Sequence, residues 1–106
     1  MGRELARRLP GVDLAQPGAP AESLLAECAV VLRWLDDNPP PRDLRRAAAE
    51  LRAAASVLRN AAFARRSLSD PDAPGHGARA AAMGALLAQG DDHIRRFMTM
   101  TAAPGP

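Results

Sequence analysis

The sequence has no lysine and no tyrosine, and its 106 residues include one cysteine and three aromatic side chains. A lone Cys28 cannot form an intramolecular disulfide or a cysteine metal cluster, which favours a reducing compartment. Three aromatic residues are few for a protein that stacks nucleic-acid bases. No segment approaches the ~20 consecutive apolar residues of a membrane helix, or a signal-peptide core. These absences predict a cytoplasmic protein without a membrane partner.

The residues that are present indicate one small, densely charged domain. Alanine occurs 24 times, and all 14 basic residues are arginines against 12 acidic residues. This bias is typical of a high-GC, bacterial genome. The net charge of +2 is too small to predict a polyanionic partner by itself.

Proline and glycine divide the chain into segments of high helix propensity, and β-branched residues are too scarce for a sheet. We predict an all-α fold, an antiparallel three-helix bundle over residues 21–100. Its helices are expected at about Ala21–Asp37, Arg42–Ser67 and Ala78–Met98. Residues 1–20 are expected to be partly flexible or to contain a short helix, and residues 101–106 to form a disordered tail.

Each predicted helix has an apolar stripe with spacings of three and four residues. The first stripe comprises Leu24, Cys28, Val31 and Leu35, widened by Leu25 and Leu32. The second comprises Leu44, Ala48, Leu51, Ala55, Leu58 and Ala62. The third comprises Met83, Leu87, Gly90, Ile94 and Phe97, with Leu86 and Met98 alongside. Because the third stripe stays in phase through Gly90, we predict one helix there rather than two.

The second predicted helix exceeds the first in length, at roughly 39 Å against 26 Å. Its end near Phe63 therefore needs additional cover. Two alternatives are a short fourth helix over Arg3–Leu9 and a homodimer contact through Leu58, Ala62 and Phe63.

A row of arginines spaced by seven follows one edge of the second predicted helix. Its members are Arg45, Arg52, Arg59 and Arg66. Guanidinium groups bind carboxylates and phosphates, so this row is a candidate site for an acidic partner or a nucleic-acid backbone. The favoured interpretation is that these arginines form ion pairs within the chain, across a hairpin centred on Pro40. The predicted pairs are Asp36 and Asp37 with Arg42 and Arg45, Glu27 and Asp91/Asp92 with Arg52, and Glu22 with Arg59. Arg65 and Arg66 are left as the candidates for external contact.

The sequence shows no motif for catalysis, a metal or another cofactor. Asp91, Asp92 and His93 are adjacent, so their side chains point about 100° apart on a helix and do not converge. Cys28 lies in the first apolar stripe, which predicts a buried and unreactive thiol.

These observations favour a non-enzymatic protein-protein interaction module, such as an adaptor, regulator or assembly subunit, with an acidic partner. One alternative is a nucleic-acid or other polyanion binder that uses the arginine row. Another is a small-ligand sensor with a pocket between helices, which Gly90 and the small stripe residues would permit.

Overall fold

Three α-helices contain most of the residues that the structure describes. The computed structural model describes Arg3, Ala6, residues 21–66, Leu68 and residues 72–102. Helix α1 is Ala21–Asp37, α2 is Arg45–Arg66 and α3 is His76–Met100. These ranges contain no strand, so the predicted all-α three-helix bundle is confirmed. Helix α2 is the central element, because it packs along both α1 and α3.

The connection between α1 and α2 is longer than the four residues of the "NPPP" motif. Arg42–Leu44 form a 3₁₀ turn, and α2 begins only at Arg45. Pro41 precedes the turn in an extended conformation, with φ −61° and ψ 160°, and its carbonyl accepts a hydrogen bond from the Leu44 amide at 2.9 Å. A proline disfavours helical geometry in the residue before it, so consecutive prolines delay the start of the helix.

This longer connection changes the register of the hairpin. Arg52 donates to Asp36 at 2.8 Å and Arg66 donates to Glu22 at 3.3 Å. Both pairs are symmetric about Leu44 rather than Pro40, because the 3₁₀ turn moves the centre of the hairpin along the chain. The predicted pairing of Glu22 with Arg59 and of Asp36 with Arg45 is therefore wrong. Arg66, predicted to lack an internal partner, has one.

The predicted stripes form most of the core. All four stripe residues of α1 are buried, as are Met83, Gly90, Ile94 and Phe97 of α3. In α2 the core positions are Ala47, Leu51, Ala54, Ala55, Leu58, Ala61 and Ala62. A second row of alanines is buried because α2 has a neighbour on two sides. Leu44 was expected in the stripe, but it belongs to the 3₁₀ turn and is 40% exposed.

Gly90 lies inside an uninterrupted α3, as its phase predicts. A Cβ atom at this position would be 2.5 Å from Cδ2 and 2.6 Å from Cγ of Leu58. Glycine therefore lets the Leu58 side chain of α2 pack directly on the backbone of α3. Leu58 fills the space beside Gly90, and a ligand pocket between the helices stays a prediction.

Arg3 lies near the start of α2, at the opposite end of this helix from Phe63, since it lines a pocket together with Ala47 and Ala48. Arg3 and Ala6 are helical, Ala6 is fully buried, and Arg3 contacts the C-terminal end of α3. The rest of the predicted fourth helix lies outside the described residues, as do residues 103–106 of the predicted tail. Phe63 is 50% exposed. Leu58 and Ala62 are both buried against their own chain, so Phe63 is the exposed member of the three residues expected at a homodimer contact, and self-association stays a prediction.

Candidate functional site

An apolar pocket of about 340 Å³ lies at the end of the bundle that carries the proline turn. We call it the proline-turn pocket. It is lined by Arg3, Trp34, Leu35, Asn38, Pro39, Pro40, Pro41, Leu44, Ala47, Ala48, Phe97 and Thr101. Its volume falls within the range of roughly 300–1,000 Å³ that is common for ligand sites.

Five segments of the chain supply the walls of the pocket, and Arg3 is one of them. Trp34 comes from the last turn of α1, Phe97 from the last turn of α3, and Ala47 and Ala48 from the start of α2. The short alanine side chains leave space in this part of the wall. Asn38 caps α1, since both its amide and its side-chain Nδ2 donate to the Trp34 carbonyl at 2.9 Å. Pro39, Pro40 and Pro41 of the proline turn complete the lining of the pocket, because prolines do not continue the helix.

Among the described residues that line the pocket, Arg3 is the one with a charged side chain. Its Nη1 donates to the Met98 carbonyl and to Thr101 Oγ1, both at 2.8 Å. Thr101 Oγ1 in turn donates to the Phe97 carbonyl at 2.8 Å. Both acceptors of Arg3 are neutral, and no carboxylate of the described residues forms a salt bridge with it. The two hydrogen bonds therefore fix the guanidinium in position, and no carboxylate of the described residues neutralises its positive charge.

The rim of the pocket has an excess of positive charge. Arg42, Arg45 and Arg46 are exposed and form no ion pair with the described residues, and Asp43 is the one carboxylate among them. The nearby carboxylates of α1 are already used, since Asp36 pairs with Arg52 and Asp37 with Arg33. Leu44 is exposed within this group of arginines. The rim thus combines an apolar side chain with unpaired cations.

The arginine row itself is partly neutralised. Arg52 and Arg66 pair with α1, whereas Arg45 and Arg59 form no ion pair within the described part of the chain. The Arg66 guanidinium also lies 5.8 Å from the centre of the exposed Phe63 ring. The row is therefore not a continuous line of free positive charge. Arg59 and Arg65, which likewise has no described ion pair, retain the strongest claim to an external contact.

A second polar cluster joins α2 to α3. His93 Nδ1 lies 2.6 Å from Glu50 Oε2, and Arg96 Nη1 lies 3.5 Å from the same oxygen. The hydrogen bond with His93, followed by the charges of His93 and Arg96, lowers the pKa of Glu50 against the opposing effect of burial. The prediction that His93 does not converge with Asp91 and Asp92 is consistent with this arrangement, since His93 points to α2. The cluster acts as an interhelical clasp.

Other candidate chemistry finds no geometric support among the described residues. They contain no group of three or more metal-ligating side chains. Cys28 is buried, and burial raises its pKa to about 11, although the Arg59 charge lowers it and Glu27 adds to the rise. The thiol therefore stays protonated near neutral pH, as expected for an unreactive core residue.

Sequence reasoning missed the pocket because Arg3 is distant in sequence from the other walls. The signal that was available is local: Trp34 lies one turn before "NPPP", and a large aromatic side chain beside consecutive prolines cannot be covered by a continuing helix. Within the described ranges, no helix is long and apolar enough to cross a membrane. No protein-family model matches the chain, and neither a curated protein nor a solved structure does.

Proposed function

We propose that this chain is a non-enzymatic protein-protein interaction module, an adaptor, regulator or assembly subunit, that docks a partner protein at the proline-turn pocket. The observation that carries the proposal is the pocket itself, where Trp34 and Phe97 line an apolar space next to arginines that form no ion pair with the described residues. Aromatic and arginine side chains contribute most to binding at protein interfaces. A partner would insert an apolar side chain between the two aromatic walls.

The rim supports a protein rather than an enclosed small molecule as the occupant. Leu44 lines the pocket and is 40% exposed, and burying it on association would add to the hydrophobic free energy. Arg42, Arg45 and Arg46 would attract an acidic partner and raise its association rate. Arg59, Arg65 and Arg66 stay candidates for a further contact along α2.

The second candidate function is a small-ligand sensor. The pocket volume and the few polar groups in its wall, Arg3, Asn38 and Thr101, favour it. Nucleic-acid binding is less favoured than protein binding, because Arg52 and Arg66, half of the arginine row, already pair with carboxylates of α1.

A pocket-filling variant tests the proposal. Ala48 lines the pocket, whereas its neighbour Ala49 is exposed and does not. Wild type, Ala48→Phe and Ala49→Phe would be used to isolate partners from the native host, and the partner found would then be purified and titrated against all three. We expect Ala48→Phe to weaken binding about tenfold or more, equivalent to about 1.4 kcal/mol, and Ala49→Phe to bind like wild type.

Thermal melts followed by circular dichroism show whether all three proteins are folded. Equal binding to both variants would mean that the partner does not use the pocket. Loss of binding in both variants, with intact folding, would place the contact on the exposed side of α2.

A further inference from the structure

The Arg3 guanidinium is a preorganised charge without a carboxylate partner in the described part of the chain. A guanidinium group has five N–H donors. The hydrogen bonds to Met98 and Thr101 both come from Nη1, so the N–H groups of Nε and Nη2 take no part in them. The bonds to Met98 and Thr101 hold the group at the pocket wall, so an incoming carboxylate would not need to order it. Fixing a binding group before association lowers the entropic cost of binding.

Capping of α3 accounts for only part of the charge. The C-terminal end of a helix carries the equivalent of about half a negative charge. The remaining positive charge faces a pocket with apolar walls, where the lower dielectric strengthens its attraction for an anion. The described carboxylates at this end are Asp36, Asp37 and Asp43, and none forms a salt bridge with Arg3.

We infer that the occupant of the proline-turn pocket is an acidic segment of a partner protein, in which an apolar side chain lies beside a carboxylate, and that Arg3 binds this carboxylate. The inference rests on the proposed function and names the partner chemistry for the same site. The apolar side chain fills the space above Ala48, and the unpaired Arg42, Arg45 and Arg46 attract further acidic residues of the segment. The apolar wall and the positively charged rim are together complementary to a segment that carries both apolar and negatively charged side chains.

The test begins with random peptides displayed on phage, selected on the wild-type protein and then counter-selected on Ala48→Phe. Trp34 is the only tryptophan, and it lines the pocket, so its fluorescence reports binding of each synthesised peptide. We expect the pocket-dependent peptides to contain Asp or Glu next to an apolar residue. Changing that acidic residue to its amide should weaken binding to the wild type about tenfold or more.

A double-mutant cycle separates charge recognition from the capping role of Arg3. In Arg3→Gln, the acidic peptide and its amide counterpart should bind equally, and Arg3→Lys should recover part of the preference for the acid. If Arg3→Gln merely loosened the pocket, both peptides would weaken by the same factor and the preference for the acid would persist. That persistence would overturn the assignment of Arg3.

The remaining outcomes distinguish this inference from the proposed function. Pocket-dependent peptides without acidic residues would overturn the inference and leave the proposed function standing. Absence of any peptide that discriminates wild type from Ala48→Phe would count against both. Tight binding of phenylacetate, detected by Trp34 fluorescence, would assign the pocket to a small ligand instead. A dimer of the chain alone that Ala48→Phe dissociates, measured by light scattering, would make a second copy the occupant.

Discussion

Small residues have opposite effects in two regions of the contact between α2 and its neighbours. At Gly90 the missing side chain is replaced by Leu58, so the helices pack without a gap. At the proline turn, Ala47 and Ala48 face Trp34 and Phe97, and a pocket of about 340 Å³ is left between them. A small residue allows close packing where a side chain of the neighbouring helix reaches it. It leaves a cavity where the neighbouring side chains are held apart.

The helix ends explain the difference. Leu58 and Gly90 lie well inside helices that run alongside each other, so the approach of their axes is set by many contacts. At the pocket, α1 ends at Asp37 and three prolines redirect the chain, so α1 does not continue across the space. The close contact is expected to stabilise the fold, and the pocket to serve binding.

The largest difference between the two regions is expected when a leucine of each region is replaced by aspartate. Leu51 is fully buried in the middle of α2, whereas Leu44 is 40% exposed at the pocket rim. Leu51→Asp should abolish folding, because an unpaired buried charge costs several kcal/mol, roughly as much as the stability of a small domain. Leu44→Asp should fold and lose partner binding. Circular dichroism checks both, and a folded Leu51→Asp protein would contradict the assigned core.

A glycine-to-alanine pair tests the close contact directly. Gly90→Ala should destabilise the protein by about 1–2 kcal/mol, since overpacking costs about 1–3 kcal/mol and the gain in helix propensity returns up to about 1 kcal/mol. Gly84 has no atom within 4 Å of the added Cβ. Gly84→Ala should therefore stabilise the same helix by up to about 1 kcal/mol. Urea unfolding measures both, and stabilisation by Gly90→Ala would contradict the contact with Leu58.

The polar clasp on the α2–α3 interface should give a pH-dependent effect. The lowered pKa of Glu50 means that its ionised form favours the folded state. This contribution is complete above the ordinary value of 4.5 and is lost as the pH falls through the lowered folded value. Glu50→Gln should cost about 1 kcal/mol near neutral pH, and the difference from wild type should shrink in acid.

Thermal melts at several pH values would measure this dependence. Asp92→Asn, at an exposed position of α3, serves as the control for loss of one negative charge. A constant difference between Glu50→Gln and wild type across the acid range would mean that the ionised clasp does not contribute to stability.

The smallest effect is expected at the exposed pair between α1 and α2. Arg66→Glu should cost about 0–1 kcal/mol, as is typical of exposed ion pairs, because Arg66 and Glu22 are both largely solvated. The exchanged pair Arg66→Glu with Glu22→Arg should restore this loss, as measured by urea unfolding. A fold that collapses on Arg66→Glu alone would show that this end of α2 is less exposed than described. Impaired partner binding by Arg66→Glu stays a prediction.

The sequence predicts the helices and core stripes well, since those depend on residues three and four positions apart. The phase of the third stripe also predicts the uninterrupted helix at Gly90. It does not predict the hairpin register, because no local pattern shows that a 3₁₀ turn at Arg42–Leu44 delays the start of α2 to Arg45. Nor does it predict the position of Arg3, whose contact with Met98 spans 95 residues and has no local signature.

The contact between Arg3 and Met98 also bears on the order in which the protein folds. The two hairpins that share α2 are built from contacts between neighbouring helices, which form rapidly. Joining residues 95 positions apart carries a larger loop-closure entropy, unless the segments between them are already folded. Arg3 is therefore expected to dock after the hairpins have formed. The wall that bears its charge would be the last part of the molecule to form and the first to open.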